Sequence, residues 1–532
     1  MAVLPVFNND QIADYLTNGF WGGSSNPLNL TSGNTIYVDF NGFAGTNAWG
    51  DADANGISAI DRGIAILALQ AWADATGLNF VEGNGSTTIY FYDAYNGAYG
   101  GNFGSTGAVN INPTFSGTHT GAVDTYIFQI YMHEIGHVLG LGHGGDYSGS
   151  ADYRTQDTEA GDNHYLNDSW QATVMSYFSQ SENTWLTATT AYTLTPMVAD
   201  VIAIRNLYGT TGTTRTGDTT YGHNSNAGGV LQDWENYGNN TVMVVVDDGG
   251  IDTFDFSNYT FDQRIDLRGE AFSNVLGEVG TVGISRDTVI ENAIGGSARD
   301  TIFGNDAGNI LRGMNGDDTL RGEGGNDLIR GGDGEDSIYG GDNNDILRGG
   351  RDADYIEGNA GIDTIWGGGA ADEIYGGLGN DTIRGGSGAD RIYGDGGNDI
   401  LYGNGGRDYL NGGGNNDTMY GGNGNDRLVG GSGHDTMFGE DDDDILDGQA
   451  GHDIYWGGNG ADTFIFNGND NGNDRIEDYT AAENDVITFR DVSGVDSFVI
   501  SGNDIVITVG SQVVTVVDGF LEGLVEADLV FV

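Results

Sequence analysis

The feature that most limits what this chain can become is a nine-residue rhythm running from Gly295 to Ile465 without an insertion, nineteen units in all. Each unit begins with Gly, as in Gly376-Gly-Leu-Gly-Asn-Asp381-Thr-Ile383-Arg384 and the unit that follows it from Gly385 through Asp390 and Ile392 to Tyr393. The sixth residue is Asp in 18 of the 19 units, Asn309 being the exception, and the eighth is always apolar or aromatic, from Ile302 through Leu401 to Phe464. A flexible linker has no reason to hold an apolar residue at a fixed position, so this segment folds. The glycines at the first two positions are expected to supply the left-handed backbone of a tight turn, and the Asp a carboxylate where backbone carbonyls converge. The last three residues predict a short strand with its middle side chain inside. Two units then make one coil, about nine coils in total, and the stack buries a single apolar ladder.

So thin a core, with carboxylates lined up along its turns, predicts an array that stays unfolded until cations bridge those turns. The candidate calcium ligands are Asp318, Asp327, Asp336, Asp345, Asp354, Asp363, Asp372, Asp381, Asp390, Asp399, Asp408, Asp417, Asp426, Asp435, Asp444 and Asp453. The ninth residues of alternate units share a face and run Arg312, Arg330, Arg348, Trp366, Arg384, Tyr402, Tyr420, Phe438, Trp456. That row is either a cross-strand ladder that stabilises the sheet or a surface that docks another domain or a cell-surface glycan.

Composition narrows the rest. The 532 residues include 94 glycines but only 4 prolines and no three-residue period, which excludes collagen, and no cysteine, which excludes disulfides. With 78 acidic residues against 19 basic ones the net charge is −59, which argues against a nucleic-acid partner and for cation binding. No apolar run approaches the roughly 20 residues of a membrane span, and Met1 to Phe7 lacks the basic start and apolar stretch of a secretory signal.

The first two hundred residues have a different character. Helices are predicted over Ile57 to Ala75, with Ile60, Ile64, Leu67, Ala68, Ala71 and Trp72 on one face, over Thr125 to Leu139, and over Pro196 to Leu207 with Gly209 closing it. Strands are predicted at Thr35 to Phe40, Thr88 to Tyr92 and Ala108 to Ile111. The expected organisation is an α/β domain over 1–209, a linker with the first β strands over 210–294, the nonapeptide array over 295–465, and a β cap over 466–532.

The chemistry lies in His133-Glu134-Ile-Gly-His137-Val-Leu-Gly140-Leu-Gly-His143, at the end of the second helix. His133 and His137 stand one turn apart on one face, within reach of a single zinc ion, with Glu134 beside them. Gly140 can end the helix in a left-handed conformation and turn the chain back, letting His143 supply a third ligand. Three histidines leave an open position for a water whose pKa zinc lowers to about 7, and Glu134 fits the role of the base that takes its proton. The spacing HExxHxxGxxH, followed by Thr173-Val-Met175-Ser-Tyr177, is the metzincin signature with its Met-turn. A further stretch, Asp51-Ala-Asp53-Ala-Asn55-Gly56, matches half of an EF-hand loop but has Arg62 where the closing glutamate belongs, so an Asx-rich turn with Ser58 capping the following helix is an equal reading.

The nonapeptide pattern resembles that of the RTX parallel β-roll. Together with the zinc motif, with His143 to Tyr147 and with Asp200 to Gly209, it makes the chain similar to the serralysins, secreted bacterial metzincin endopeptidases with an RTX domain behind the catalytic one. That resemblance implies one catalytic zinc held by His133, His137 and His143, Glu134 as general base, Met175 under the metal, and Tyr177 as a displaceable ligand that hydrogen-bonds the tetrahedral oxyanion. It also implies several structural calcium ions, protein or peptide substrates held along an edge strand within Gly97 to Val109, a monomer, and an extracellular location reached through a type I secretion apparatus. The end, Asp528-Leu-Val-Phe-Val532, resembles the uncleaved signal of that route. The array is longer than is usual among serralysins, and no pro-segment motif is visible. The rival reading is a calcium-dependent cell-surface or matrix binding protein with a silent protease site.

Overall fold

The structure, a computed structural model, describes residues 8–19, 27–30, 33–41, 57–93, 98–111, 126–143, 169, 171–176, 191–210, 213–232, 234, 237, 241–467, 472–492, 494–501, 503–518, 524 and 529–532. Two compact units divide the chain, Met1–Ile290 and Glu291–Val532. Among the described residues no helix is long and apolar enough to cross a membrane.

The first unit has a five-stranded sheet built from β1 (Thr35–Asp39), β2 (Asn79–Glu82), β3 (Thr88–Tyr92), β4 (Ala98–Phe103) and β5 (Thr106–Ile111), in the order β2-β1-β3-β5-β4. Neighbours pair in parallel except β4, which runs antiparallel to β5 and forms one edge. Four helices accompany the sheet: α1 (Asn9–Asp14), α2 (Ala59–Thr76), α3 (Tyr126–Val138) and α4 (Val198–Tyr208). The three longer ones fall where periodicity predicts them. α2 starts where Ser58 Oγ accepts the Asp61 N–H, and it stops at Gly77, whose φ of +74° is left-handed. Its inner face differs in part from the predicted one. Ala65 and Leu69 are buried with Ile64, Ala68, Ala71 and Trp72, while Ile60, in the first turn, is 50 % exposed. Nearly every residue of α3 is buried, which places its polar groups inside the protein. The strand Thr241–Val245, buried throughout, lies between Tyr192–Thr193 and Val282–Ile284 and is parallel to both.

Along the nonapeptide array of the second unit, from Asn292 to Thr463, each strand pairs in parallel with the strand 18 residues on, so two nonapeptides make one coil, as their length predicts. Leu320 faces Ile338, Ile356 and Ile374 along one sheet, and Leu311 faces Ile329, Leu347 and Ile365 along the other, all fully buried. Two expectations need correction. The strands have about six residues, as in Thr319–Gly324, because extended backbone continues through the glycines into the next unit. The first glycine of a unit is not left-handed. It is required because a Cβ there would run into the Asp five residues later and the glycine carbonyl of the next coil. Positive φ belongs instead to the second and fourth positions, where it is adopted even by Glu323 (+73°) and Asn343 (+79°). The final strand, Leu529–Phe531, pairs in parallel with Val486–Arg490 and completes one sheet; Asp528 lies outside the described residues.

Candidate active site

α3 carries the first two histidines, and its core position follows from what surrounds it. Trp72 of α2 donates its indole N–H to the Met132 carbonyl (3.1 Å), and Gln129 Oε1 accepts the Thr193 N–H (2.7 Å). The helix ends as the sequence predicts, with Gly140 at φ +103° and the Gly140 and Leu141 N–H groups turning back to the His137 and Gly136 carbonyls. The chain is then held on its new course. Gly142 N–H donates to the Leu16 carbonyl (2.8 Å), and the Tyr208 hydroxyl of α4 donates to the Leu139 carbonyl (2.9 Å).

This turn brings the three imidazoles together. The candidate ligand atoms of His133, His137 and His143 all lie within 4.8 Å of one another, and the His137 and His143 Nε2 atoms are 2.9 Å apart. Two nitrogens about 2.1 Å from one tetrahedral ion stand about 3.4 Å apart, so the cluster is close to the dimensions zinc requires. The second nitrogens fix the tautomers. His133 Nδ1 meets the Val174 carbonyl at 2.9 Å and His137 Nδ1 the Leu141 carbonyl at 2.8 Å. A carbonyl only accepts, so both Nδ1 atoms carry the proton and both Nε2 lone pairs face the cluster. Burial drives the ring pKa values down, to about 3 for His133 and about 4 for His137, which keeps them neutral as metal ligands must be.

Glu134 stands beside them, 8 % exposed, with its carboxylate accepting the Gly100 N–H of β4. Burial pushes its pKa up to about 8, against that hydrogen bond, so its proton affinity suits acid–base work near neutrality. β4 approaches α3 so closely that a side chain at Gly100 would overlap the Glu134 carbonyl, and Asn102 of β4 donates to the Val138 carbonyl at the helix end (2.9 Å). The edge strand thus packs directly against the histidine helix.

Beneath the cluster lies the 173–176 turn. Met175 is fully buried, and a Cβ at Gly136 would stand 2.5 Å from its Sδ, so the glycine between the two histidines is what admits the methionine under the helix. Asp200, in the first turn of α4 and fully buried, clamps this turn: Oδ1 accepts the Thr173 hydroxyl (2.5 Å), while Oδ2 accepts the N–H groups of Val174 (2.8 Å) and Met197 (2.9 Å). The roles of Gly100, Gly136 and Asp200 escape sequence reasoning. Only the glycine inside the zinc motif and the Asp at a helix start gave a signal, and neither says what it touches. Tyr177, Gly97 and the Asp51-Asp53-Asn55 stretch lie outside the described residues.

The aspartates of the array occupy two columns in the second unit. From Asp318 to Asp462 each accepts, through Oδ1, the backbone N–H of the residue one coil earlier, which is an aspartate except at Asn309, as from Asp381 to Asp399 and from Asp435 to Asp453 (2.8 and 3.0 Å). From Asp318 to Asp444, and again at Asp462, Oδ2 is buried with no hydrogen-bond partner, sixteen such oxygens in all, each beside the first glycine of its unit and most beside a glycine carbonyl of the next coil. Burial, helped at most of them by neighbouring aspartates, pushes these carboxyls up, to about 8 at Asp318 and Asp354 and about 7 at Asp363 and Asp426. Unpaired carboxylate and carbonyl oxygens at a tight turn are the hard donors calcium takes.

The family model described as peptidase M10 serralysin C terminal matches residues 210–516, more than half of the chain, and the metallo-peptidase family M12B reprolysin-like model matches residues 52–201. The chain belongs to the serralysin family. Metalloprotease AprA of Pseudomonas entomophila is 36 % identical over 58 % of this chain and 66 % of its own length. Serralysin of Photorhabdus laumondii is 36 % identical over 50 % of this chain and 57 % of its own, and serralysin B of Dickeya chrysanthemi 39 % identical over 45 % and 52 %. The chain thus spans between about half and two thirds of the length of these relatives.

Proposed function

We propose that this protein is a secreted zinc endopeptidase that cleaves internal peptide bonds of proteins, with a calcium-loaded β-roll that completes its fold outside the cell. The observation that carries the reading is the convergence of three neutral imidazoles, each with an Nε2 or Nδ1 lone pair available, beside a buried carboxylate raised to about 8. A zinc ion held by His133, His137 and His143 would supply Lewis acidity to the scissile carbonyl and acidify the attacking water. The chain's own groups do the rest. β4, as the free edge of the sheet beside α3, can pair with an extended substrate backbone and set its carbonyl over the cluster. Glu134 takes the water's proton as attack proceeds and returns it to the departing amine, a shuttle its raised pKa favours. Tyr177, two residues after Met175, is assigned the hydrogen bond to the oxyanion by family resemblance.

The roll supports the extracellular reading. Sixteen buried, unpaired carboxylate oxygens are a liability where calcium is scarce and ligands where it is plentiful, so the array would leave the cytosol unfolded, by type I secretion, and fold on arrival. Casein hydrolysis tests the enzyme. The wild type should lose activity to 1,10-phenanthroline and regain it with zinc, and Glu134→Ala should lower turnover at least ~10²-fold with zinc still bound. An undiminished rate in that variant would remove Glu134 as the base.

A further inference from the structure

The outer face of one roll sheet departs from the charge of everything around it. In that sheet the seventh and ninth residues of alternate units point outward, because the eighth, between them, is buried. Across nine coils, from Ile310 to Trp456, these eighteen positions hold no Asp or Glu, in a chain with 78 acidic residues against 19 basic ones. The repeat does not impose this. The same positions of the other sheet include Glu357, Glu373 and Asp447.

Four of the eighteen are arginines. Arg312, Arg330 and Arg348 are exposed and stand in register on neighbouring strands, where like charges repel. Arg348 and Arg384 lie over Trp366 (4.8 and 6.0 Å), but among the described residues Arg312 and Arg330 make no ion pair and no ring contact. At the other end Tyr402, Tyr420, Phe438 and Trp456 stack at 4.6 to 4.9 Å within 15° of parallel. Their faces are turned on one another, so only the ring edges, the positive rim of the quadrupole, reach solvent. Within the stack they offer no open ring face to a sugar or a base.

The result is a narrow track, cationic from Arg312 to Arg384, with a step of about 4.8 Å per coil. It is bordered by Asp317 in a turn and by Asp333 at the end of its own strand, already paired with Arg299 and Arg351, and further along by Glu440 and Asp441 at another strand's end. A flat anionic bilayer would meet those acidic borders, and a single nucleic-acid strand would find no free ring face to stack on. A linear polymer fits between them. We propose that this face binds an acidic polysaccharide bearing one carboxylate per sugar, laid along the ladder. The sugar repeat of such a chain is close to the strand spacing, so the carboxylates on the side turned to the sheet meet the guanidinium forks among Arg312, Arg330 and Arg348 while Thr364 and Thr382 offer hydroxyls to the sugar.

The test uses the full chain with calcium bound and polygalacturonate as probe, read by affinity electrophoresis at two salt concentrations. Binding should weaken as salt rises. Replacing Arg312, Arg330 and Arg348 together by Gln should weaken it at least tenfold, with circular dichroism and casein hydrolysis unchanged. Arg299→Gln with Arg351→Gln should leave it as it was. Should the triple variant misfold, Arg330→Gln alone carries the test, with a loss of about threefold expected. Equal retardation of the triple variant, equal affinity for neutral dextran, single-stranded DNA or anionic vesicles, or no binding by the wild type would overturn the proposal. Because casein hydrolysis is followed in the same samples, these outcomes are separable from failure of the peptidase reading.

Discussion

The proposed zinc site and the proposed calcium columns differ in what stands behind the donors. In the first unit His133 and His137 are oriented by the Val174 and Leu141 carbonyls, Met175 fills the space beneath them, and a conventional core around Trp72, Phe128 and Tyr131 encloses the whole. Those interactions are made by the protein's own groups. In the second unit the carboxylates are themselves the interior of the turns, each pressed against the next coil with one oxygen left over. A buried unpaired carboxylate costs several kcal/mol, far more than the one ladder residue of each unit returns. One site is a pocket that a protein core builds for a metal; the other is a wall that the metal must build.

The largest expected effect breaks the pair apart. Removing calcium with EGTA should abolish most of the β signal in circular dichroism and open 295–465 to proteolysis, whereas removing zinc with 1,10-phenanthroline should end peptidase activity and leave the spectrum intact. A roll that kept its spectrum and its protection in EGTA would mean that the Asp318 to Asp462 oxygens do not need cations, and the contrast would fail.

How much of this the sequence discloses follows the same division. The roll is almost wholly legible, because every coil repeats the last: Leu320 over Ile338 over Ile356 is a consequence of an 18-residue period, and Asp381 is placed once Asp399 is. What misled was local. A glycine can be required by contact or by φ, and composition does not tell them apart, so the first glycine of each unit is read for the wrong reason. In the first unit the motif from His133 to His143 marks the ligands through helical spacing. The parts that aim them come from distant segments. Nothing in the string says that Asp200 grips the turn before Met175, or that Gly100 lies against Glu134.

Asp200 therefore offers the next test of whether the first site is built by the core. It holds the Val174 N–H, and the carbonyl of the same residue holds His133. Asp200→Asn keeps the shape, but with its oxygen left to the Val174 and Met197 N–H groups its NH2 faces the Thr173 hydroxyl, which already accepts the Met175 N–H and can no longer donate there. Zinc affinity, measured by chelator competition, should fall ~10- to 100-fold, as for other residues that orient a ligand, with the fold retained. Unchanged affinity would confine Asp200 to capping α4.

A smaller effect concerns pH in the metal-free roll. The folded pKa values of Asp318 and Asp354 are raised to about 8, and those of Asp336 and Asp426 to about 7, chiefly by burial and then by neighbouring acidic groups. An unfolded aspartate titrates near 3.9. Between those values the folded coil binds more protons than the unfolded chain, so stability falls as pH rises from about 4 towards 8. In excess EDTA, whatever ordered β structure remains should melt at a lower temperature at pH 8 than at pH 5. With saturating calcium the trend should reverse, because binding needs the deprotonated form. A melt in EDTA that rises with pH would show that the carboxylates are satisfied without metal.

The finest test lies at the one unit that breaks the rule. Asn309 keeps the geometry of its column, since its N–H donates to Asp327 Oδ1 (2.7 Å) and its Oδ1 accepts the Asn305 N–H (2.8 Å). Its side-chain amide adds what an aspartate cannot, donating to the Glu291 carbonyl (2.9 Å) and to Asn305 Oδ1 (3.1 Å). By the repeat alone, Asn309→Asp restores a missing calcium ligand and should stabilise. By the structure, it sets a carboxylate oxygen against two acceptors at the start of the array, where no ion is needed because the asparagine closes the turn itself. The variant should lose about 1 to 3 kcal/mol in urea unfolding at limiting calcium, the cost of unmade hydrogen bonds to buried groups. A gain instead would show that this turn, like the others, waits for a cation.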